Sequence, residues 1–521
     1  MVRAAGRAAV AGGSVVVAAA AVLLFRSTLL PGVGFWDTAE FQAVAPLLGT
    51  AHPTGFPSYV ILGWLASLLL TPVGEPAFRM NVLSALLVAG AAATTVVLVR
   101  LLTRSTLIGI SAGFGLAATP IAWSIATHAD PHALHLLLVA ILLALLVAWE
   151  HSGSSPGDPL RLDDSEPRAR NDRLLVAAAA VFGVAATNHS LTLLLIPPIG
   201  LFVLAIERGI WRRRGIVAAC LVASLATAAL LYLELPLRGG PLRASLVYGE
   251  PSTLHGFAYI VLAEQFRGSF VDPLGDLPQK FVALVDLVVA QFGPFAPLVP
   301  IGLLVTAIRQ RPYALLSGVA AAIACFFAAS YANADIARYY LGPALMAWTW
   351  LAILAGAVVD AVAEMMASGG AWLRRWWREA AALVAAVALI VPSVAVLQDR
   401  SRRVDESRNH QAQEWTTAAL DAMDRDAVVL SWWSYSTPLW YAQRVEGRRP
   451  DIAIVDDRTR LDEHLGEVTD VIDAQLGRRP VYVIRSNDSD LAALAVRYQL
   501  EPVATAAPNL LRVTASLAAR P

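Results

Sequence analysis

Over its first four hundred residues the chain alternates between long apolar runs and short polar connections. The runs are long enough for a helix to cross a hydrocarbon layer of about 30 Å. Hydropathy therefore predicts about eleven membrane-spanning helices. They cover residues 8–28, 77–101, 105–126, 132–149, 174–188, 190–206, 215–236, 281–308, 312–331, 339–363 and 380–397.

A further apolar stretch, residues 57–72, is only 16 residues long and is broken at Pro72. An interfacial or re-entrant helix is as consistent with this length as a span. If the stretch does not cross, the arginine clusters at 208–214, 309–311 and 374–378 fall on the same side as the N-terminal arginines. That distribution satisfies the positive-inside rule. We therefore predict a multi-pass protein of the cytoplasmic membrane with its N-terminus in the cytoplasm.

This orientation assigns the remaining segments to the two sides of the membrane. Residues 29–76 form the first outside loop and residues 237–280 the second large one. The polar segment 150–173 is predicted to be a flexible cytoplasmic linker. The tail after residue 397 lies outside.

The tail, residues 398–521, is polar and changes in pattern. Strands are predicted at 427–432, 451–457 and 480–486, and helices between them at 436–447, 461–477 and 488–500. Alternating strands and helices are typical of a small α/β domain with a parallel sheet. The predicted fold class is thus a polytopic α-helical membrane domain (1–397) followed by an extracytoplasmic α/β domain (398–521).

The amino-acid composition excludes several classes of protein. The chain is 57% hydrophobic and 15% charged, which excludes a single soluble domain, a fibrous protein and a disordered one. Its formal net charge is zero, so nothing indicates nucleic acid as a partner. Both cysteines lie in apolar runs, and no disulfide framework or cysteine metal site is evident.

The first outside loop carries the sharpest candidate chemistry: Asp37, Glu40 and His52. Asp37 and Glu40 are three residues apart and would share one face of a helix. One carboxylate could act as a general base, but an Asp that caps a helix explains the pair as well. The prolines of HPTGFP exclude a regular helix and predict a fixed turn at His52.

This loop resembles the start of a GT-C glycosyltransferase. The segment FWDTAEFQAVAPLLGTAHPTGFPSYVILGWL is most similar to the protein O-mannosyltransferase-like family, with its D-x-x-E-F and H-P-P-G-[YF]-P signatures. Residues 231–268 and 428–457 are similar to that family's long outside loop and C-terminal domain. The chain departs from the family at Thr54, where Pro is common, and at Trp432 and Trp433, where a polar turn is frequent.

The resemblance implies an inverting glycosyltransferase that moves a sugar, mannose by family analogy, from a polyprenyl-phosphate donor to an acceptor hydroxyl on a protein or glycan. It implies that Asp37 is the base, with Glu40 and His52 as the matching acid and histidine of the motif. No cofactor or metal is required by this reading. A transporter or flippase, or a non-catalytic assembly protein with an outside binding domain, remains the alternative.

A phosphate leaving group calls for positive charge, and the bidentate fork of arginine suits phosphate. Arg238 and Arg338 are the first candidates because both lie at span ends, and Arg267 is the third; snorkelling to the interface is the competing explanation. His128, His189, Trp36 and Tyr59 are candidates to line the substrate cavity. Asp130 lies among His128, His132 and His135, where interface hydrogen bonding is favoured over a metal site.

Overall fold

The computed structural model describes residues 2–153, 170–333, 335–366, 371–485, 487–504 and 506–517. Most of the predicted linker 150–173 lies outside the described residues. Each predicted apolar segment corresponds to helical structure. The helices of the first part are α1 (Val2–Arg26), α2 (Trp36–Val44), α3 (Pro57–Leu69), α4 (Pro76–Thr103), α5 (Thr106–Ala117), α6 (Pro120–Ala126), α7 (Pro131–Ser152), α8 (Asp172–Asn188), α9 (Ile196–Ile206), α10 (Arg214–Tyr232), α11 (Glu234–Gly239), α12 (Leu254–Val261), α13 (Leu277–Phe292), α14 (Leu298–Arg309), α15 (Arg311–Ala329), α16 (Leu341–Met365) and α17 (Ala371–Ala395).

The protein is a multi-pass membrane protein, but the count of eleven spans is not confirmed. Within the described residues, seven helices are long and apolar enough to cross a membrane, or up to nine if each of two bent pairs is one span. The predicted span 105–126 bends by 67° between α5 and α6, and 281–308 bends by 80° before α14. Proline at the first turn of α6 and around residues 294–297 explains these breaks, because proline removes a backbone donor.

The short segment 57–72 forms a helix of 13 residues, α3, which is shorter than the roughly 20 residues that a span needs. It packs against α4 and α8. The segments 174–188 and 190–206 are also short: α8 has 17 residues, and a 3₁₀ turn (Ser190–Leu195) precedes α9.

Helix α4 is central to the bundle and packs against α1, α5 and α7. Its contact with α5 depends on small residues. A Cβ at Gly113 would lie 2.5 Å from the Ala92 carbonyl oxygen, and one at Gly109 would lie 2.8 Å from the Val96 carbonyl oxygen. Glycine therefore allows the two backbones to approach closely, as is common between membrane helices.

The C-terminal part contains a five-stranded sheet in the order β2-β1-β3-β5-β4. The three predicted strands are present and parallel, but the antiparallel pair β4–β5 was not predicted. The elements are α18 (Leu397–Val404), α19 (Gln411–Ala422), β1 (Val428–Ser431), α20 (Trp433–Trp440), β2 (Ala453–Asp456), α21 (Asp457–Asp462), α22 (Val468–Gln475), β3 (Val481–Ile484), α23 (Asp488–Arg497), β4 (Tyr498–Ala504) and β5 (Ala507–Ser516).

All three predicted helices of this part differ in extent. Residues 436–447 hold the end of α20, which begins at Trp433, and a π-helical turn over Tyr441–Val445. Residues 461–477 contain the end of α21 and a separate helix, α22, because Gly466 between them has φ +80°, which is not a helical conformation. The predicted helix 488–500 ends at Arg497, since Tyr498 already pairs with β5. Helix α20, which follows β1, packs on α2 and so places the sheet domain beside the first loop.

Candidate active site

Helix α2 presents the first two predicted residues. Asp37 lies in its first turn, and Glu40 lies one turn later with only 1% of its surface exposed. One Glu40 oxygen accepts the His52 backbone N–H at 2.9 Å, and the other contacts His52 Nδ1 closely. The prediction that the proline-rich segment forms a turn at His52 agrees with this geometry: Gly55 and Phe56 have positive φ and α3 begins at Pro57.

The Glu40 contact sets the charge of His52. Burial alone would lower the pKa of this imidazole, but the Glu40 carboxylate beside Nδ1 outweighs burial and raises the pKa above its usual value. The pair is therefore a buried, hydrogen-bonded unit that fixes the turn before α3. Asp37 and Glu40 serve different purposes in this arrangement, because Glu40 is fully occupied and Asp37 is 30% exposed.

Arg338 joins Asp37 to a second carboxylate. Its Nη1 lies 3.1 Å from Asp37 Oδ2 and 3.3 Å from Asp130 Oδ2. Asp335 Oδ2 lies 3.1 Å from Nε of the same guanidinium. The arginine is three hundred residues distant from Asp37 in sequence, yet the fold brings the two together at the loop end of the bundle.

Asp130, which the sequence analysis weighed only together with three histidines, belongs to the site. It caps α7: its Oδ1 accepts the His132 backbone N–H at 2.7 Å and the His132 Nδ1–H at 2.9 Å. Burial would raise the pKa of Asp130, but His132 and Arg338 hold it well below its usual range, so the carboxylate is ionised. In the sequence this aspartate is indistinguishable from an ordinary helix cap before a proline.

Two buried side-chain amides, Gln42 and Asn81, fix the positions of the segments that carry Asp37 and Asp130. Gln42 on α2 donates to Asn81 Oδ1 on α4 at 2.9 Å, and the same oxygen accepts the Ala129 backbone N–H at 2.9 Å. Asn81 Nδ2 in turn donates to the Leu30 carbonyl at 2.8 Å. Both amides are fully buried, so this network ties the first loop, α2, α4 and the Asp130 turn into one unit.

The other predicted phosphate ligands have protein partners. Arg238 donates through Nε to the Leu48 carbonyl at 2.6 Å and through Nη2 to the Leu47 carbonyl at 3.1 Å. Arg267 is 63% exposed and pairs with Glu264 at 3.2 Å. The structure thus brings Arg338 to Asp37, whereas Arg238 braces the first loop and Arg267 lies at the surface.

The predicted cavity residues are distributed around this centre. His128 Nε2 lies 3.9 Å from Asp130, and the His189 ring lies 4.5 Å from the His132 ring between centroids. Burial holds the pKa of His189 well below its usual value, so this imidazole is neutral. Tyr59 is fully buried, with its hydroxyl 3.4 Å from Ser84, and packs inside the bundle.

The sheet domain reaches the same region. Trp433 of α20 stands edge-to-face with Trp36, at 6.3 Å between centroids, and with His52, at 5.8 Å. The Arg458 guanidinium lies 3.5 Å from the ring centroid of Tyr248 in the second large loop. In the part of the chain that the structure describes, no group of three or more His, Cys, Asp or Glu residues is placed to hold a metal ion.

Comparison with solved structures identifies the fold. ArnT from Cupriavidus metallidurans, bound to undecaprenyl phosphate, matches 98% of this chain and 98% of its own with a TM-score of 0.57 and 17% identity. The archaeal oligosaccharyltransferase AglB from Archaeoglobus fulgidus, in complex with an inhibitory peptide and a dolichol-phosphate, matches 84% of this chain and 64% of its own with a TM-score of 0.50 and 15% identity. The chain therefore has a GT-C-type fold, as predicted.

Sequence comparison then gives more particular relatives. Residues 37–209 match the family model for the Protein O-mannosyl-transferase TMEM260 N-terminal domain. The chain is 28% identical to mouse Protein O-mannosyl-transferase TMEM260 over 460 residues, which is 83% of this chain and 61% of the mouse protein. The Dictyostelium discoideum relative of the same name is 23% identical over 286 residues, 52% of this chain and 33% of its own. The chain thus spans less than two thirds of both relatives, and the resemblance predicted from its motifs is confirmed.

Proposed function

We propose that this protein is a membrane glycosyltransferase that moves a sugar, mannose first among the candidates, from a polyprenyl-phosphate donor to an acceptor hydroxyl on the outer face of the membrane. The observation that carries the proposal is the Arg338 guanidinium held between Asp37 and Asp130 at the end of the bundle. The transfer needs at least a carboxylate that can accept a proton and a cation that stabilises the departing phosphate. The names of the TMEM260 relatives and the lipid phosphates bound by ArnT and AglB support the donor and the sugar.

The proposed step needs one proton acceptor and one site for the departing charge. The acceptor oxygen bonds to the anomeric carbon, its proton passes to Asp37, and the bond from that carbon to the phosphate oxygen breaks with its electrons leaving on the phosphate. The charge that develops on the phosphate is stabilised by Arg338. Attack from the face opposite the phosphate inverts the anomeric centre.

The contacts of Arg338 indicate how the two roles are coupled. The same Arg338 nitrogen serves Asp37 and Asp130, so a donor phosphate that binds this guanidinium competes with Asp37 for it. Asp130 keeps two further donors from His132 and is the less displaceable partner. Donor binding would thereby release the Asp37 oxygen toward the acceptor hydroxyl.

The remaining site residues act by position in this proposal. Glu40 and His52 fix the turn that leads into α3, and Trp36 with Trp433 offers aromatic surface at the entrance, where sugar rings can stack. Arg238 holds the backbone of the first loop. No step requires a metal ion.

The test is sugar transfer by the purified full chain in detergent. Radiolabelled polyprenyl-phosphate-mannose is compared with the corresponding glucose and N-acetylglucosamine donors, and donor loss is followed together with labelled product. Turnover of the mannose donor supports the proposal, whereas turnover of another sugar alone would move the assignment to that sugar. Lack of donor consumption with every lipid-linked sugar would contradict it.

A further inference from the structure

The opposite end of the bundle carries a pair of open cavities. One has a volume of about 470 Å³ and the other of about 290 Å³, and they share the walls formed by Leu102, Arg104, Arg309 and Gln310. Both open at the end of α4, where Thr103 is the last helical residue. Asn81 of the site network is 22 residues earlier on the same helix, so the cavities are about 33 Å from it at 1.5 Å per residue.

The cavity walls are basic. Four guanidinium groups, from Arg104, Arg309, Arg311 and Arg378, line them against two carboxylates, from Glu150 and Asp360. Asp360 is shared, with Arg309 at 3.0 Å and Arg378 at 3.3 Å, so one carboxylate serves two cations. Arg104 has a further partner of its own and is left out of the charge balance; among the described lining residues, the other three guanidinium groups still exceed the two carboxylates by one positive charge.

The arginines come from separate elements and are held by the packing of helix ends. Gln310, between α14 and α15, donates to the Leu102 carbonyl at 2.6 Å, and Arg378 of α17 lies 3.5 Å from the Thr103 carbonyl. These contacts cap the end of α4 and fix Arg309 and Arg311 on either side of Gln310. The helix ends that carry these arginines are thus part of the packed bundle, whereas the side chains of Arg104, Arg309 and Arg311 are exposed.

An apolar stripe leads away from the larger cavity. Ile301, Leu304 and Ile308 of α14 are exposed at helical spacing, and Ile308 itself lines the cavity. In a membrane protein such a stripe faces acyl chains. Near the same end, α17 begins with the exposed Trp372 and Trp376, and tryptophan is enriched at the level of lipid head groups.

We propose that this pair of cavities, which we name the basic cavity, is a binding site for the phosphate group of an anionic phospholipid, with an acyl chain along the α14 stripe. Basic pockets between helix ends on the cytoplasmic side of a membrane are suited to such head groups, and the arginine distribution of the sequence predicts that this end lies in the cytoplasm. Arginine matches phosphate through its fork of N–H donors. The site is separate from the proposed transfer site and holds whether or not that function is correct.

The lipid source of the phosphate can be tested directly against a soluble source. The purified full chain is titrated in detergent with phosphatidylglycerol, with phosphatidylcholine and with inorganic phosphate, and bound species are counted by native mass spectrometry. We expect phosphatidylglycerol to be retained in preference to phosphatidylcholine. We also expect that inorganic phosphate does not displace it, because the α14 stripe contributes to lipid binding.

The variants are Arg309→Gln with Arg311→Gln, and the matched control is Arg375→Gln. Arg375 lies near the same end, is 81% exposed and pairs with Glu379, but does not line the basic cavity. At about 1 kcal/mol for each cationic side chain near the surface, the double variant should bind phosphatidylglycerol about 30-fold more weakly. The control should bind it as the unaltered protein does.

Two single variants, Arg311→Gln and Arg311→Lys, separate loss of charge from loss of structure, since lysine keeps the cation and should recover most of the affinity that is lost with glutamine. Equal retention of phosphatidylglycerol by the double variant and by the control would overturn the proposal. So would retention of inorganic phosphate at the arginines with no difference between the two phospholipids. Thermal melting of each variant, followed by circular dichroism, verifies that the compared proteins are folded.

Discussion

Replacing Arg338 tests the coupling of the two carboxylates at the proposed site. Arg338→Gln removes the cation that lies 3.1 Å from Asp37 and 3.3 Å from Asp130. Loss of one preorganised donor to a developing negative charge lowers turnover by about 10²–10³-fold. We therefore expect kcat with a polyprenyl-phosphate-sugar donor to fall by that factor, while the binding of the lipid tail keeps the donor KM within about tenfold.

The same substitution should also lower the stability of the protein, but the protein should remain folded. Asp130 retains the two donors of His132, at 2.7 and 2.9 Å, and Asp37 is partly solvated. Arg338 nevertheless contacts Asp37, Asp130 and Asp335, and Asp130 is buried, so the expected cost is about 3–5 kcal/mol, the range for removing one partner of a buried ion pair. A thermal melt should show a folded protein with a lowered Tm.

Two further variants make the result decisive. Arg338→Lys keeps the charge but not the fork that can serve a carboxylate and a phosphate together, so it should recover only part of the activity. Arg497→Gln, which breaks a half-exposed surface pair with Asp473, should leave activity unchanged. Full turnover by a folded Arg338→Gln protein would refute the proposed role of this arginine.

Three other changes probe the framework of the site. Asn81→Ala removes the buried acceptor of the Ala129 N–H and the donor to the Leu30 carbonyl, and should lower stability by about 1–3 kcal/mol in a denaturation assay, whereas an unchanged melt would show that the network is dispensable. The pKa of His52 is raised, so its contribution to stability is complete below about pH 6.5, the ordinary histidine value, and is lost as the pH rises through the raised pKa. The Tm of the unaltered protein should therefore fall as the pH rises above 6.5, and Glu40→Gln should abolish that fall. A fall that persists in Glu40→Gln would belong to another group. Gly183→Ala places a Cβ 2.4 Å from the Ser224 carbonyl between α8 and α10, which should lower stability by about 1–3 kcal/mol, whereas Gly215→Ala has open space and should melt like the unaltered protein.

The apolar pattern predicted where helices lie but not how many of them cross the membrane. Hydropathy reports the total length of an apolar run, so it treated residues 105–126 as one helix although Pro120 starts a second helix at 67° to the first. The β4–β5 pair was missed for a related reason. Residues 498–516 alternate weakly, and their pairing with β3 is a long-range contact that no local pattern shows.

The candidate residues of the first loop could be predicted from the sequence, but the residues that they contact became clear only from the fold. Asp37, Glu40 and His52 stand out because charged residues beside apolar segments are costly. Their different surroundings, with Glu40 buried on His52 and Asp37 turned to Arg338, follow only from packing. Asp130 was overlooked as a site residue, since an aspartate before a proline at a helix start needs no functional explanation.

The most direct test of the proposed function is sugar transfer by the Asp37→Asn protein. Asparagine keeps the size of the side chain and one acceptor oxygen but cannot accept the acceptor proton, so the proposal predicts that transfer from radiolabelled polyprenyl-phosphate-mannose is abolished while the protein stays folded and binds the donor. Addition of EDTA should leave the unaltered protein active. Transfer at the normal rate by a folded Asp37→Asn protein would contradict the assignment of Asp37 as the base.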